Sequence, residues 1–499
     1  MAEYTCSVCN VKFYDREKKF TNDENKCILH SEMDKNKYNG LLNELFIERI
    51  ELYIDKNILN NKDNKVTFYN VKIPIFKTET RDSTYLWDKI SKKFEYNNFK
   101  ILFIKSVFYG EEKLSSLKNN YLIFEECDFL KKVIISDCKE LIFSNTRFHT
   151  YLTYKNDLKE QSINSNLSFN DCIFNIIEFK GVTFNNELFA NSKENKSFKL
   201  EELNFENCIL KNRLNLLNNN YLLKINKLYF INTILENKVI IKSCEIKDLR
   251  LIETRFKNFC NFEKNKFVSL SLNETIFEKM VSFQQTKFLT NVDFYYVTFK
   301  EHSIFKNTIF TNELNLENAL FEKNSSFLNI SAHEREKDYK DKYKGKPINI
   351  KVANRETARI IKDSFEKQNN IIEANKYYAV EMKEREKELE IIKNPLDSIV
   401  FFFHKLSSDH SQNWMLSLFW IFLISYLVTS VKTTYGMFET ILYNIFIYGV
   451  FDKMANIINP FSIMTRGESL TFSMLLFKII IAYLIYQFIV SVRQNTRRK

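Results

Sequence analysis

The stretch VSFQQTKFLTNVDFYYVTFKEHSIFKNTIF, from Val281 to Phe310, decides the fold. Phenylalanine returns at Phe283, Phe288, Phe294, Phe299, Phe305 and Phe310, in steps of five, six, five, six and five. A helix would repeat at about 3.6 residues and a strand at about 2, so neither period explains the ladder. The same spacing extends outward through the centres Phe277, Leu316, Phe321 and Phe327. Two residues before the ten centres stand Thr275, Val281, Thr286, Val292, Val297, Ser303, Thr308, Leu314, Ala319 and Ser325, and all but Leu314 are small or β-branched. In extended backbone, positions two apart point to one side, so each unit sends a large and a smaller side chain inward together. A unit of this size cannot bury a core alone, and stacked neighbours must close it.

Composition agrees with a chain of stacked units. The 499 residues include 47 Phe but only 7 Gly and 4 Pro, too few turn formers for many tight hairpins. The formal charge is +11, yet residues 101–330 count to only +2, so the excess lies in the flanks. Nine cysteines, an odd number and widely spaced, do not form the dense framework of a secreted disulfide domain. Reduced thiols in a cytosolic setting fit better. The first residues show no basic segment followed by an apolar one, so no secretory signal is expected.

The units VSFQQTKF, VDFYYVTF, SIFKNTIF and LNLENALF resemble pentapeptide repeats of the kind in which five- and six-residue units alternate. The resemblance implies a mainly β fold, a right-handed quadrilateral β-helix over 101–330 with one unit per side. Four sides take about 22 residues, which gives roughly ten coils. The pattern is clear from about 203 to 330. Earlier it is interrupted, as at NNNYLLKINK and HTYLTYKNDLKEQSINS, where loops or irregular coils are expected. The single cysteines at 172, 208, 244 and 260 fall near repeat positions, and Cys260 takes the small inward slot before Phe262. They read as buried free thiols.

Residues 1–35 hold Cys6-x2-Cys9-x17-Cys27-x2-His30. Each close pair can chelate from one turn, and the four donors suit tetrahedral Zn²⁺ in a closed, structural site. The ending CILH is similar to zinc knuckles that precede some bacterial pentapeptide-repeat proteins. No basic helix follows it, so nucleic-acid binding is not expected. Residues 36–100 read as a connector and 331–353 as a linker.

Residues 354–394 read as one connector helix, with Asn354 and Thr357 as capping residues and Ile361, Phe365, Ile372, Tyr378 and Met382 near one face. Residues 395–499 read as a two-span membrane region. Trp414–Val431 has 18 residues without a charge, and Leu470–Val490 has 21 with Lys478 alone. Lys and Arg flank the pair, which puts both termini in the cytoplasm. A shorter apolar run, Phe438–Phe451, lies between. With Tyr448, Gly449, Val450, Phe451 and Asp452 it resembles the filter region of two-span potassium-type channels, a module some pentapeptide-repeat proteins carry. Only Gly449 of the small filter residues remains, so the segment reads as a degenerate pore kept as an anchor.

No catalytic constellation is visible. His149, His302, His333, His404 and His410 are scattered without metal-spaced pairs, and 7 glycines leave no phosphate cradle. The expectation is a non-enzymatic scaffold or sensor at a bacterial inner membrane, with the lipid bilayer and a protein as partners. Helix 354–394 and the spans are expected to support a homo-oligomer. The alternative is an oligomeric ion-channel-like effector gated by the rod. A DNA-mimicking rod is excluded by its near-neutral charge.

Overall fold

The structure is a computed structural model that describes residues 3–23, 25–32, 40–60, 65–76, 83–93, 100–114, 121–135, 140–155, 163–190, 199–217, 222–332, 350–389, 395–433, 450–459 and 472–496. The chain forms two compact units, Met1–Lys351 and Val352–Lys499.

The first unit is dominated by a parallel β-solenoid of about nine turns, consistent with a pentapeptide-repeat protein. Its four faces are columns of side chains. Phe256, Phe277, Phe299 and Phe321 stack at centroid distances of 4.9, 5.3 and 4.8 Å. Phe262, Phe283, Phe305 and Phe327 stack at 5.2, 5.3 and 5.0 Å on the next face. Phe267, Phe288 and Phe310 form the third column, and Leu251, Leu272 and Phe294 pair in register on the fourth. Rings on adjacent faces meet edge to face, as Phe262 and Phe277 do at 85°. Stacked pairs along a face and edge contacts across corners are the arrangements that ring quadrupoles favour.

The alternation of five and six has a backbone cause. Left-handed residues stand at Glu274, Gln285, Tyr296, Asn307 and Asn318, always two after a centre that begins a five-residue step. The six-residue steps, such as Phe277 to Phe283, turn without one. One positive φ shortens the corner by a residue. Asn supplies several of these positions, because its short polar side chain tolerates this region better than most. That is how a chain with 7 glycines turns so many corners.

Immediately after many of these corners comes the small inward residue. Of the ten such positions in the Phe ladder nine are buried, and Ala319, near the C-terminal end of the ladder, is half-buried. Thr254, Thr275, Thr286 and Thr308 donate their hydroxyls to Phe230, Leu251, Phe262 and Phe283 carbonyls one coil earlier, at 2.8, 2.8, 2.6 and 2.8 Å. Cys127, Cys172, Cys208 and Cys244 occupy the same slot, each with its sulfur 3.4 to 3.5 Å from a carbonyl of the preceding coil. These four cysteines are thus threonine equivalents, and burial pushes their thiols up to about 12. Outside, charged residues one coil apart pair along the surface, such as Lys227 with Glu202 and Lys266 with Glu245, both at 3.1 Å.

The solenoid starts earlier than 101. The strand Lys65–Tyr69 pairs in parallel with Lys100–Ile104, so the first coil lies within the stretch read as a connector. The step from Phe68 to its stacked neighbour Phe103 is long because the helix Ser83–Lys93 is inserted within it. Trp87 of that helix is buried against Phe103, Phe108 and Phe124. Its Nε1 donates to Glu112 Oε2 at 2.9 Å. The helix Gly40–Asn60 covers the first coil, with Tyr53 stacked on Phe68 at 5.2 Å and its hydroxyl on the Thr67 carbonyl at 2.9 Å. Such a lid is what the open end of a repeat array requires.

The helices are named α1 (Asp15–Lys18), α2 (Gly40–Asn60), α3 (Ser83–Lys93), α4 (Arg355–Lys367), α5 (Ile371–Glu388), α6 (Pro395–Ser408), α7 (Trp414–Thr433), α8 (Val450–Ile458) and α9 (Phe472–Thr496). The expected single helix over 354–394 is two. Asn354 caps α4 as expected, accepting from Thr357 N at 2.9 Å, but the chain turns at Asn369, φ 57°. Asn370 then caps α5. The two helices pack through Phe365 on Tyr377 and through the Lys362–Glu381 ion pair at 2.9 Å. Because of the break, Ile372 is exposed rather than on a shared apolar face.

The two expected membrane spans are also corrected. Among the described residues one helix segment, Leu475–Gln494 of α9, is long and apolar enough to cross a membrane. The apolar part of α7 is the shorter Trp414–Leu427. At 1.5 Å per residue that described segment reaches about 20 Å, against a hydrocarbon core of about 30 Å, while the helix itself runs on to Thr433. Val428, Thr429, Ser430, Val431 and Lys432 follow it in the sequence.

Candidate functional site

The N-terminal cysteines are brought together by two turns. Strands β1 (Glu3–Thr5) and β2 (Lys12–Tyr14) form an antiparallel hairpin, and Cys6 and Cys9 sit in its turn. Asn10 has a φ of 54° and donates its N–H to the Cys6 carbonyl at 2.9 Å, which curls the two thiols toward one point. The second pair lies on another turn, closed by His30 N on the Cys27 carbonyl at 3.0 Å. Ser7 N on the Asn25 carbonyl at 2.8 Å joins the turns.

The donor atoms of Cys6, Cys9, Cys27 and His30 all lie within 4.8 Å of one another. Cys9 Sγ is 3.8 Å from Cys27 Sγ, and His30 Nδ1 is 3.5 Å from Cys6 Sγ and 3.2 Å from Cys27 Sγ. A tetrahedral ion with M–S of about 2.3 Å and M–N of about 2.0 Å separates its ligands by about 3.8 and 3.5 Å. The cluster has the donor set and spacing to hold a metal ion. His30 Nε2 is 3.1 Å from the carbonyl of Tyr69. With Nε2–H donated to that carbonyl, Nδ1 is left as the ligand, the outer-shell arrangement typical of metal-bound histidine. Hydrogen bonds with Cys27 and Cys9 hold the Cys6 thiol far below its ordinary range, while Cys6 and Cys9 push Cys27 up. Burial lowers His30, but its hydrogen bonds with Cys6 and Cys9 outweigh this and raise it to about 9.

The site is bound into the fold on two sides. Tyr69 ends the first solenoid strand, and Lys72 N donates to the Leu29 carbonyl at 2.7 Å, so the second turn pairs with the start of the solenoid. Behind the first turn, the buried Arg49 of α2 pairs with buried Glu17, which also accepts from Ile28 N at 3.2 Å. Paired burial of both charges keeps either from standing uncompensated.

At the other end of the chain, the pore-like residues Tyr448 and Gly449 lie outside the described residues. Val450, Phe451 and Asp452 begin α8. Lys478 of α9 is buried, and its Nζ donates to the carbonyls of Asn456 and Asn459 at 3.0 and 2.5 Å. It caps the carbonyl end of α8, where a cation is favoured. The start of α7 meets the C-terminal half of α9, with Trp414 against Phe488 at 6.2 Å and Ser411 donating to Gln487 Oε1 at 3.3 Å.

Sequence reading found the four cluster residues by spacing but missed one histidine pair. His404 and His410 meet with their Nδ1 atoms 3.1 Å apart. A left-handed turn of Asp409, His410 and Ser411, with φ of 46°, 55° and 63°, folds them together. Burial lowers both imidazoles, so the pair favours the uncharged forms. The signal was a six-residue spacing across a helix end, which no regular period marks.

No protein-family model, curated protein or solved structure matches this chain.

Proposed function

We propose that the protein is a non-enzymatic, membrane-anchored scaffold whose solenoid presents a binding surface to a protein partner. The observation that carries this reading is α9, whose Leu475–Gln494 segment is long and apolar enough to cross a bilayer and leaves Ile479, Tyr486 and Ile489 exposed. The basic tail of Arg493, Arg497, Arg498 and Lys499 supports a cytoplasmic C-terminus. The free thiols suit that compartment, and the resemblance to bacterial repeat proteins points to the inner membrane. Zn²⁺ is the ion that three thiolates and one imidazole suit best, and with four protein ligands its role is structural. It would fasten the N-terminal module onto the start of the solenoid. Self-association through 354–394 and the apolar helices belongs to the same reading.

The competing reading is an ion-conducting oligomer. Reconstitution of the full chain in planar bilayers separates the two. The scaffold predicts a quiet membrane at every potential, and reproducible unitary currents that vanish on Lys478→Ala would replace it with the channel.

A further inference from the structure

We infer that α6 lies in the plane of the membrane surface, with one face in the boundary between headgroups and acyl chains. This rests on the anchoring of α9 proposed above. The helix carries Leu396, Ile399, Val400, Phe403 and Leu406 at spacings of three and four, which place them on one stripe. All five are exposed, Leu396 at 76% and Val400 at 63%. Phe402 beside them is 60% exposed. In water such a stripe would be a large apolar patch without cover.

The stripe is not waiting to fold onto the neighbouring helix, because the C-terminal end of α6 is already fixed. Its orphan carbonyls at Leu406 and Ser407 accept from Trp420 Nε1 at 2.9 Å and from Ser417 Oγ at 2.8 Å, both on α7. Ser408 Oγ donates to Gln487 Oε1 of α9 at 3.0 Å. The left-handed turn at 409–411 then sets the angle between α6 and α7. With this end locked, the apolar stripe can be covered only from outside.

The occupant follows from what adjoins it. The exposed side chains Met415, Phe419 and Phe422 carry the apolar surface from α6 onto α7, and α9 continues it. If α9 crosses a bilayer, α7 packed on it stands in the same layer and α6 reaches its edge. Trp414 and Trp420 at this junction are the residues that settle at a membrane interface. Asp397 and Lys405, the latter paired with Glu386 at 2.9 Å, lie off the stripe. A helix with an exposed apolar stripe and its charged residues off that stripe, joined to a spanning helix, is a form that lies in the interface.

The test uses the full chain in nanodiscs of phosphatidylethanolamine and phosphatidylglycerol, with nitroxide labels at Phe403→Cys, Val400→Cys, Ile479→Cys and Lys367→Cys. The unsubstituted chain, labelled in parallel, sets the background. Collision with oxygen and with a water-soluble nickel chelate reports the surroundings of each label. The expected result is an oxygen-to-nickel ratio at 403 and 400 several-fold above that at 367 and below that at 479. A ratio at both stripe positions equal to that at 367 overturns the inference while leaving α9 in the membrane. Protection of both from oxygen and nickel together also overturns it, since protein, such as a second copy, would then cover the stripe. An aqueous label at 479 overturns the anchoring reading and this one with it.

Discussion

His30 reaches past its own turn to place Nε2 3.1 Å from the carbonyl of Tyr69, a residue of the first solenoid strand. The histidine that completes the cysteine cluster is therefore also the peg that joins it to the solenoid. The full-length protein is expected to carry one tightly held metal ion per chain by elemental analysis. His30→Ala should lower that occupancy and the melting temperature together, whereas His30→Cys should keep the ion and lose the link to Tyr69. Because ion binding is linked to folding, a strong chelator should lower the melting temperature of the unsubstituted chain. A chain that binds no metal yet melts at the same temperature with and without chelator would remove this role.

The cysteine slot of the solenoid gives a second prediction. Cys127, Cys172, Cys208 and Cys244 stand where Thr254 and Thr275 stand in later coils, and their thiols are raised to about 12 by burial. In the native protein these thiols should resist a thiol reagent until the chain unfolds. Cys208→Thr should change stability by less than about 1 kcal/mol. Thr275→Val, which removes a hydroxyl from a buried carbonyl, should cost about 1 kcal/mol in denaturant titrations.

Corners and columns make different demands. Tyr296 holds a φ of 50° at a five-residue step. Tyr296→Gly should be neutral or stabilise by up to about 1 kcal/mol, and the β-branched Tyr296→Val should destabilise by about 1–2 kcal/mol. Phe283, stacked between Phe262 and Phe305, is fully buried, so Phe283→Ala should cost about 3–5 kcal/mol. Equal costs at the two sites would contradict the assignment of one to a corner and the other to the core.

Glu112 predicts a pH dependence. Burial raises its carboxyl to about 8 from an ordinary value of 4.5, against the opposing hydrogen bond from Trp87. The folded chain therefore holds a proton that the unfolded chain releases between these values. The contribution is fully favourable below about 4.5 and is lost as pH rises through about 8, at up to about 1.4 kcal/mol per unit. Glu112→Gln should flatten this part of the stability profile and raise stability at pH 8 relative to the unsubstituted chain. Parallel profiles for the two proteins would show that Glu112 is charged in the folded state.

Much of this was legible along the chain where neighbours in space are neighbours in period. The step from Phe283 to Phe305 is one coil, and a repeat of that length is visible by eye. The first coil was hidden because α3 separates Phe68 from Phe103. The four metal-cluster residues were readable because each pair lies within one turn. Their link to Tyr69 was not, since it spans 39 residues and uses a backbone carbonyl, which leaves no trace in side-chain identity. The break between α4 and α5 was missed because Asn369 and Asn370 are ordinary polar residues in a helical pattern, and only their backbone angles end it. For α7 the uncharged run Trp414–Val431 suggested a span, and the apolar segment among the described residues is Trp414–Leu427.

The most direct test of the central claim is extraction of the full chain from membranes at alkaline pH. The account predicts that the protein stays with the lipid pellet, and that a chain ending at residue 389, before the apolar helices α6 to α9, is released while keeping the far-ultraviolet β signal of its solenoid. Release of the intact full-length protein into the alkaline supernatant would contradict it.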